Sequence, residues 1–224
     1  MESRWWQRES LIKFESPTSF FIFVPSNSGK SFFTKQLLMM APEMFKIPPS
    51  KIYFSFSVWQ DLYYKMVNEI PQIQFHKGLP SMELLNNWGE QDGHKIIVFD
   101  DLIMDAADSA EMSHIMCVGS HHYNMTVIQI LQNVFQKGKS MRTASLNYHY
   151  FILFRSFRDV LQIQTLGKQM FPGQTKFFME AYHKSTKQRF GYLLLDLHPH
   201  TDKTYQLRTH ILPGQFYTIY QPIQ

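Results

Sequence analysis

FFIFVPSNSGKS, residues 20–31, places five apolar residues directly before a short loop that ends in Gly-Lys-Ser. The apolar run predicts a buried strand, and Phe33, Leu37 and Met40 repeat at helical spacing after the loop. A strand, a small loop and a helix in this order form the setting of a phosphate-binding loop. The stretch therefore predicts a nucleotide site at the end of this strand.

The loop supplies the groups that bind phosphate. Backbone N–H groups of a tight loop and the positive end of the following helix dipole attract phosphate oxygens. We expect Lys30 to reach the β- and γ-phosphates and the Ser31 hydroxyl to bind Mg²⁺. The usual motif has a first glycine where this chain has Val24. The predicted nucleotide-binding residues are Pro25, Ser26, Asn27, Ser28, Gly29, Lys30 and Ser31.

A second motif, KIIVFDD at residues 95–101, is an apolar run that ends in two carboxylates. Strand ends of a parallel sheet converge on the edge where ligands bind. We assign Asp100 to Mg²⁺, next to Ser31, and Asp101 to the attacking water as general base. The competing interpretation makes Asp101 a supporting carboxylate or a helix cap. The catalytic interpretation is favoured because adjacent acids at a buried strand end are costly without a cation.

Two further catalytic candidates follow later strands. Gln132 comes directly after the strand predicted over 127–131 and is expected to sense the γ-phosphate, with Asn133 as the competitor and an ordinary turn amide as the alternative. Arg142, in the loop KGKSMRTASLN, is our first choice for an arginine that completes a neighbouring subunit's site. Arg155 and Arg158 are the alternatives, and each of the three also fits a solvated surface residue.

The rest of the chain alternates predicted strands and helices, which favours an α/β fold with a largely parallel sheet. A helix is expected to end at Pro42, another to cover residues 109–118, and a late strand to cover 204–207. Residues 1–18 are expected to form an N-terminal extension, and 19–224 a single domain.

Composition excludes several classes of protein. One cysteine, Cys117, cannot form an intrachain disulfide, which fits a reducing compartment. No apolar run is long enough to span a bilayer, and the charged N-terminus does not resemble a signal peptide. The chain is therefore expected to be soluble and intracellular, without a membrane partner. The net charge of +4 is compatible with a polyanion. His121-His122 lacks further ligands at metal-site spacing.

Several segments together resemble the genome-packaging ATPases of polinton-like (Maverick) elements and adintoviruses, which belong to the FtsK/HerA superfamily. They are VPSNSGKSFFTKQLL, KIYFSFSVWQDLY, IIVFDDL, GSHHYNMTVIQILQNVF, RTASLNYHYFILFRSFRD, QTLGKQMFPG, GYLLLDLHP and RTHILPGQ. The resemblance runs from about Phe20 to the end of the chain.

The resemblance implies a three-layer P-loop NTPase with a mainly parallel central sheet flanked by helices. It implies ATP and Mg²⁺ as cofactors, and ATP-driven movement of double-stranded DNA into a preformed capsid. It also implies a ring of subunits at a capsid vertex, working in the host nucleus or at a virus assembly site, or associated with the virion. Lys30 and Ser31 match the family's phosphate loop, Asp100 and Asp101 its acidic pair, and Gln132 its polar strand-end residue.

Two other functions stay open at this point. A small P-loop nucleotide kinase has a similar length, but such enzymes need an arginine-rich lid, which we do not find. A nucleotide-binding capsid subunit without hydrolysis is favoured by Val24 and by the short Asp101, since many relatives carry Glu at that position.

Overall fold

The computed structural model describes residues 3–8, 12–23, 25, 28–102, 123–131 and 148–222, with the backbone alone for 3–8. The strands are β1 (Ser3–Arg8), β2 (Ser19–Phe23), β3 (Pro49–Phe56), β4 (Ile73–Lys77), β5 (His94–Asp100), β6 (Met125–Leu131), β7 (Tyr150–Phe154), β8 (Tyr192–Asp196), β9 (Leu207–Thr209) and β10 (Tyr217–Pro222). The helices are α1 (Lys30–Met39), α2 (Ala41–Met44), α3 (Asp61–Glu69), α4 (Met82–Gly89), α5 (Val160–Met170) and α6 (Thr175–Ser185), with a 3₁₀ turn at Lys203–Tyr205.

The described strands form one sheet in the order β1-β10-β9-β8-β7-β2-β6-β5-β3-β4. Every pairing from β7 to β4 is parallel, whereas β8, β9, β10 and β1 pair antiparallel beyond β7. Because β2, β3, β5, β6 and β7 run in the same direction, their carboxyl ends meet at one edge of the sheet. This confirms the predicted α/β fold with a mainly parallel central sheet.

The central strands are buried on both faces, which explains the three layers. Successive side chains of a strand point to opposite faces, so Ile97 and Phe99 of β5 enter one core and Ile96 and Val98 the other. Helices α4, α5 and α6 contribute buried residues to the first core, and α1, α2 and α3 to the second. Unbroken apolar strands need such cover on both sides.

A buried histidine network lies at the opposite, amino-terminal end of β5. His94 Nδ1 donates to the carbonyl of Ile47 at 2.7 Å, and its Nε2 accepts from the Thr126 hydroxyl at 2.7 Å. Burial lowers the pKa of His94 despite the Ile47 bond. The neutral ring therefore links β5 to β6 and to the residues just before β3.

Two local predictions were wrong, and a third is not tested. Helix α1 ends at Met39, and Pro42 lies in the first turn of α2 instead of ending α1, as suits a residue with no N–H to lose. The strand expected over 204–207 is instead a 3₁₀ turn followed by β9, because the Asp202 side chain accepts from Thr204 N–H and caps that turn. The expected helix over 109–118 lies outside the described residues.

The ends of the chain add strands that the sequence did not predict. β1 pairs antiparallel with β10, so part of the expected extension 1–18 forms the sheet's edge. Within the described parts of the chain, no helix is both long and apolar enough to cross a bilayer.

Candidate nucleotide site

The predicted phosphate loop connects β2 to α1 at the carboxyl edge of the sheet. Gly29 precedes α1 with φ of 93°, a left-handed conformation that glycine adopts without the cost of a Cβ. Ser28 N–H donates to the Pro25 carbonyl at 3.2 Å and closes a tight turn. Lys30 and Ser31 open the helix. Of the predicted loop residues, Ser26 and Asn27 lie outside the described part of the chain, as does Val24.

The acidic pair meets the loop lysine at this edge. Lys30 Nζ lies 2.8 Å from Asp100 Oδ1 and 2.7 Å from Asp101 Oδ2. Asp100 ends β5, which is separated from β2 by β6 alone. The two motifs, seventy residues apart in the sequence, therefore meet at one edge of the sheet.

The site is partly buried and carries an excess of negative charge. The side chain of Asp100 is 5% exposed, that of Lys30 14% and that of Asp101 29%. Burial disfavours the charged form of Lys30, but the two carboxylates outweigh burial and raise its pKa, so the ammonium persists. The two carboxylates carry more negative charge than the one ammonium neutralises, so the site attracts further positive charge.

The backbone turns sharply at Asp101. Its φ of 55° is left-handed, which is uncommon outside glycine and costs about 1–3 kcal/mol. Asp and Asn tolerate this conformation better than most residues. This strained backbone occurs at the residue whose carboxylate contacts Lys30. The strained residue is therefore part of the site.

Gln60, just before α3, and Tyr63, in the first turn of α3, also reach the site, and the sequence did not single them out. The Tyr63 hydroxyl donates to Asp100 Oδ2 at 2.7 Å, and the Ser31 hydroxyl donates to Gln60 Oε1 at 3.3 Å. Burial, followed by the nearby charge of Asp100, raises the pKa of Tyr63, so its hydroxyl remains a donor. One signal in the sequence could have identified Gln60. It lies just past an apolar run that ends at the same edge of the sheet as the site.

For the Mg²⁺-dependent ATP hydrolysis predicted from the sequence, we expect Tyr63→Phe to weaken activity while the fold stays intact. The change removes the donor that orients Asp100, and a hydrogen bond to a charged group contributes about 1.5–3 kcal/mol. The Mg²⁺ concentration for half-maximal ATP hydrolysis should rise roughly tenfold. Tyr64→Phe is the matched control, because Tyr64 is 62% exposed and adjacent. An unchanged Mg²⁺ requirement in Tyr63→Phe would remove the positioning role.

The remaining candidates divide into two groups. The first group lies outside the described residues and consists of Gln132, its competitor Asn133, Arg142, the His121-His122 pair and Cys117. Arg155 and Arg158 are exposed and follow β7 at the carboxyl edge. The Arg155 guanidinium lies 4.5 Å from the centre of the Phe157 ring, and that ring is 79% exposed.

Comparison with known proteins finds similarity in structure alone. No family model and no curated protein sequence matches the chain. The chain is similar to the genome packaging NTPase B204 from Sulfolobus turreted icosahedral virus 2 in complex with ATP-γS, with a TM-score of 0.52 and 12% identity. The AMPPCP complex of that NTPase gives 0.55 and 10%. Each alignment covers 93% of this chain and 98% of the other. The chain therefore shares the fold of a viral packaging NTPase.

Proposed function

We propose that this chain is a Mg²⁺-dependent ATPase that drives double-stranded DNA into a preformed capsid. The observation that carries the proposal is the joint contact of Lys30 with Asp100 and Asp101, because it brings a phosphate loop and an acidic strand end into one site. The fold shared with a viral packaging NTPase supports the same function. So does the resemblance of the sequence to packaging ATPases of polinton-like elements and adintoviruses. We propose residues 19–224 as the ATPase domain.

The loop residues Pro25 to Ser31 would surround the phosphates, with the backbone N–H groups that follow Pro25 and the start of α1 as donors. Lys30 would exchange its carboxylate partners for the β- and γ-phosphate oxygens, which attract the same ammonium. Its raised pKa keeps the charge available for this exchange at neutral pH.

The side chains at the site fit Mg²⁺. A serine hydroxyl and a carboxylate are hard oxygen ligands of the kind Mg²⁺ prefers, and the excess negative charge beside Lys30 favours a divalent cation. Ser31 and Asp100 would hold the ion, with Tyr63 and Gln60 orienting them. When bound, Mg²⁺ would supply positive charge to the phosphate oxygens.

Hydrolysis needs a group that orients or deprotonates water beside the γ-phosphate. Asp101 fits this role because it is the more exposed of the two carboxylates and loses its ammonium partner when Lys30 turns to phosphate. Gln132 would sense the γ-phosphate from the end of β6.

Assembly into a ring at a capsid vertex would place an arginine of one subunit at its neighbour's site. Arg142 is the first candidate. Arg155 and Arg158 are supported by their exposure at the same sheet edge as the phosphate loop. The net charge of +4 suits a DNA partner. The protein would act at the site of virus assembly, where capsids are filled with DNA.

DNA movement can be separated from DNA binding by triplex displacement. We expect the protein with Mg²⁺ and ATP to displace a third strand from a duplex substrate, and to fail with a non-hydrolysable analogue. ATP hydrolysis without displacement, under conditions where duplex binding is measured, would contradict translocation. Phosphorylation of a nucleoside monophosphate by the protein would favour the kinase instead.

A further inference from the structure

A cluster of two histidines and a glutamate lies at the amino-terminal edge of the parallel strands, opposite the nucleotide site. It consists of Glu15, which precedes β2, and of His198 and His200, which follow β8. The end of β8 lies at this edge because Asp196 pairs with Tyr150 at the start of β7. One ligand atom from each residue of the cluster lies within 4.8 Å of the other two. A metal ion bound at about 2.0–2.2 Å therefore requires only small adjustments of these side chains.

A tight turn holds the two histidines. The His198 carbonyl accepts from Thr201 N–H at 2.9 Å and closes a β-turn over residues 198–201, whose second residue is a proline, as such turns favour. Asp196 Oδ1 accepts from His198 N–H at 3.0 Å and from the Thr201 hydroxyl at 2.9 Å. Asp196 is itself buried and ion-paired with the buried Arg208. The turn is thus anchored to the core, and it brings the centres of the two imidazole rings to 5.0 Å.

Glu15 reaches the cluster from a different part of the chain. Its N–H donates to the Tyr150 hydroxyl at 3.2 Å. Its carboxylate Oε1 lies 3.9 Å from His200 Nδ1 and 2.5 Å from Lys46 Nζ. The Lys46 side chain is 55% exposed, so its ammonium can move into water when a cation replaces it beside the carboxylate.

The donor atoms of the cluster suit Zn²⁺. Burial lowers the pKa of His198, so its ring is neutral and keeps the lone pair that a metal ion needs. Two imidazoles and one carboxylate are a donor set of zinc sites with three protein ligands, and imidazole favours Zn²⁺ over Mg²⁺. The His200 side chain is 75% exposed, which leaves the fourth coordination position accessible to water.

We infer that Glu15, His198 and His200 bind one Zn²⁺ ion, which joins the segment before β2 to the β8–β9 connection. The inference does not depend on the proposed function, because the cluster and the nucleotide site lie at opposite edges of the sheet. Only the folded chain brings these two segments together, so binding of the ion would stabilise the folded state.

Titration calorimetry of Zn²⁺ into the full chain, in excess Mg²⁺, tests the inference. His198→Ala and His200→Ala should each lower Zn²⁺ affinity by at least about a hundredfold, because loss of a group that merely supports a ligand already costs about 10–100-fold. His183→Ala is the matched control, since His183 is an exposed histidine of α6 and is not in the cluster. Zn²⁺ at about a hundred times its Kd should raise the Tm of the wild type and the control by roughly 5–10 °C. The same Zn²⁺ concentration should leave the Tm of the two cluster variants unchanged.

A gain of affinity provides a test that misfolding cannot imitate. Lys46→Met removes the ammonium that competes for Glu15 and should strengthen Zn²⁺ binding about two- to fivefold, the usual size of an exposed ion pair. Unchanged or weaker binding in this variant would contradict Glu15 as a ligand. A wild-type protein that does not bind Zn²⁺ would overturn the inference. So would affinities in His198→Ala and His200→Ala that equal the affinity of His183→Ala.

Discussion

Lys30→Ala is expected to lower ATP affinity by at least about a hundredfold and to reduce hydrolysis to background. The change removes the ammonium that would bind the β- and γ-phosphates. It also removes the ammonium that lies between Asp100 and Asp101, which leaves more negative charge facing the triphosphate. Truncating one partner of a buried, hydrogen-bonded charge pair costs about 2–5 kcal/mol of binding free energy, which is on the order of a hundredfold in affinity. Calorimetric ATP binding and phosphate release measure both effects.

Lys35→Ala is the control for this prediction. Lys35 lies on the same helix and forms an ion pair with Glu69 at 2.5 Å, away from the acidic pair. It should leave ATP affinity and turnover close to wild type. Wild-type ATP affinity in a folded Lys30→Ala protein would contradict the phosphate-loop assignment.

Asp101→Asn is expected to keep ATP binding and to lose hydrolysis by roughly 10²–10⁴-fold, the usual contribution of a general base. Asn has nearly the same shape and tolerates the left-handed backbone at this position, where φ is 55°. It cannot accept a proton from water at neutral pH. Single-turnover hydrolysis of bound ATP separates this chemical step from binding and release.

The matched acidic control is Asp92→Asn. Asp92 is exposed and lies just before the opposite end of β5. Undiminished turnover in Asp101→Asn would remove the general base from Asp101, leaving it as a supporting carboxylate. Loss of ATP binding in the same variant would assign Asp101 to ligand binding instead.

The sequence predicts the parts of the fold that depend on consecutive residues. The runs around Phe21 and Val98 are apolar at every position, so they could only be strands covered on both faces. The polar residues that end them then had to lie at an edge. Lys30 and Asp100 meet for this reason, although β6 is inserted between their strands.

Two features that the sequence does not predict depend on partners far away along the chain, and a third depends on a local hydrogen bond. Tyr63 has the helical spacing of a core residue, and only the placement of β3 beside β5 brings its hydroxyl to Asp100. The segment SRWWQR becomes a strand because β10 offers a free edge. At Thr204, a side-chain cap from Asp202 overrides strand propensity with a local hydrogen bond.

The most direct test is a structure of the protein with Mg²⁺ and a non-hydrolysable ATP analogue, in which the partners of Lys30 Nζ are measured. The account predicts that Nζ lies within hydrogen-bond distance of β- and γ-phosphate oxygens, with Ser31 and Asp100 at the metal. Phosphates bound elsewhere, with Lys30 still held between Asp100 and Asp101, would contradict it.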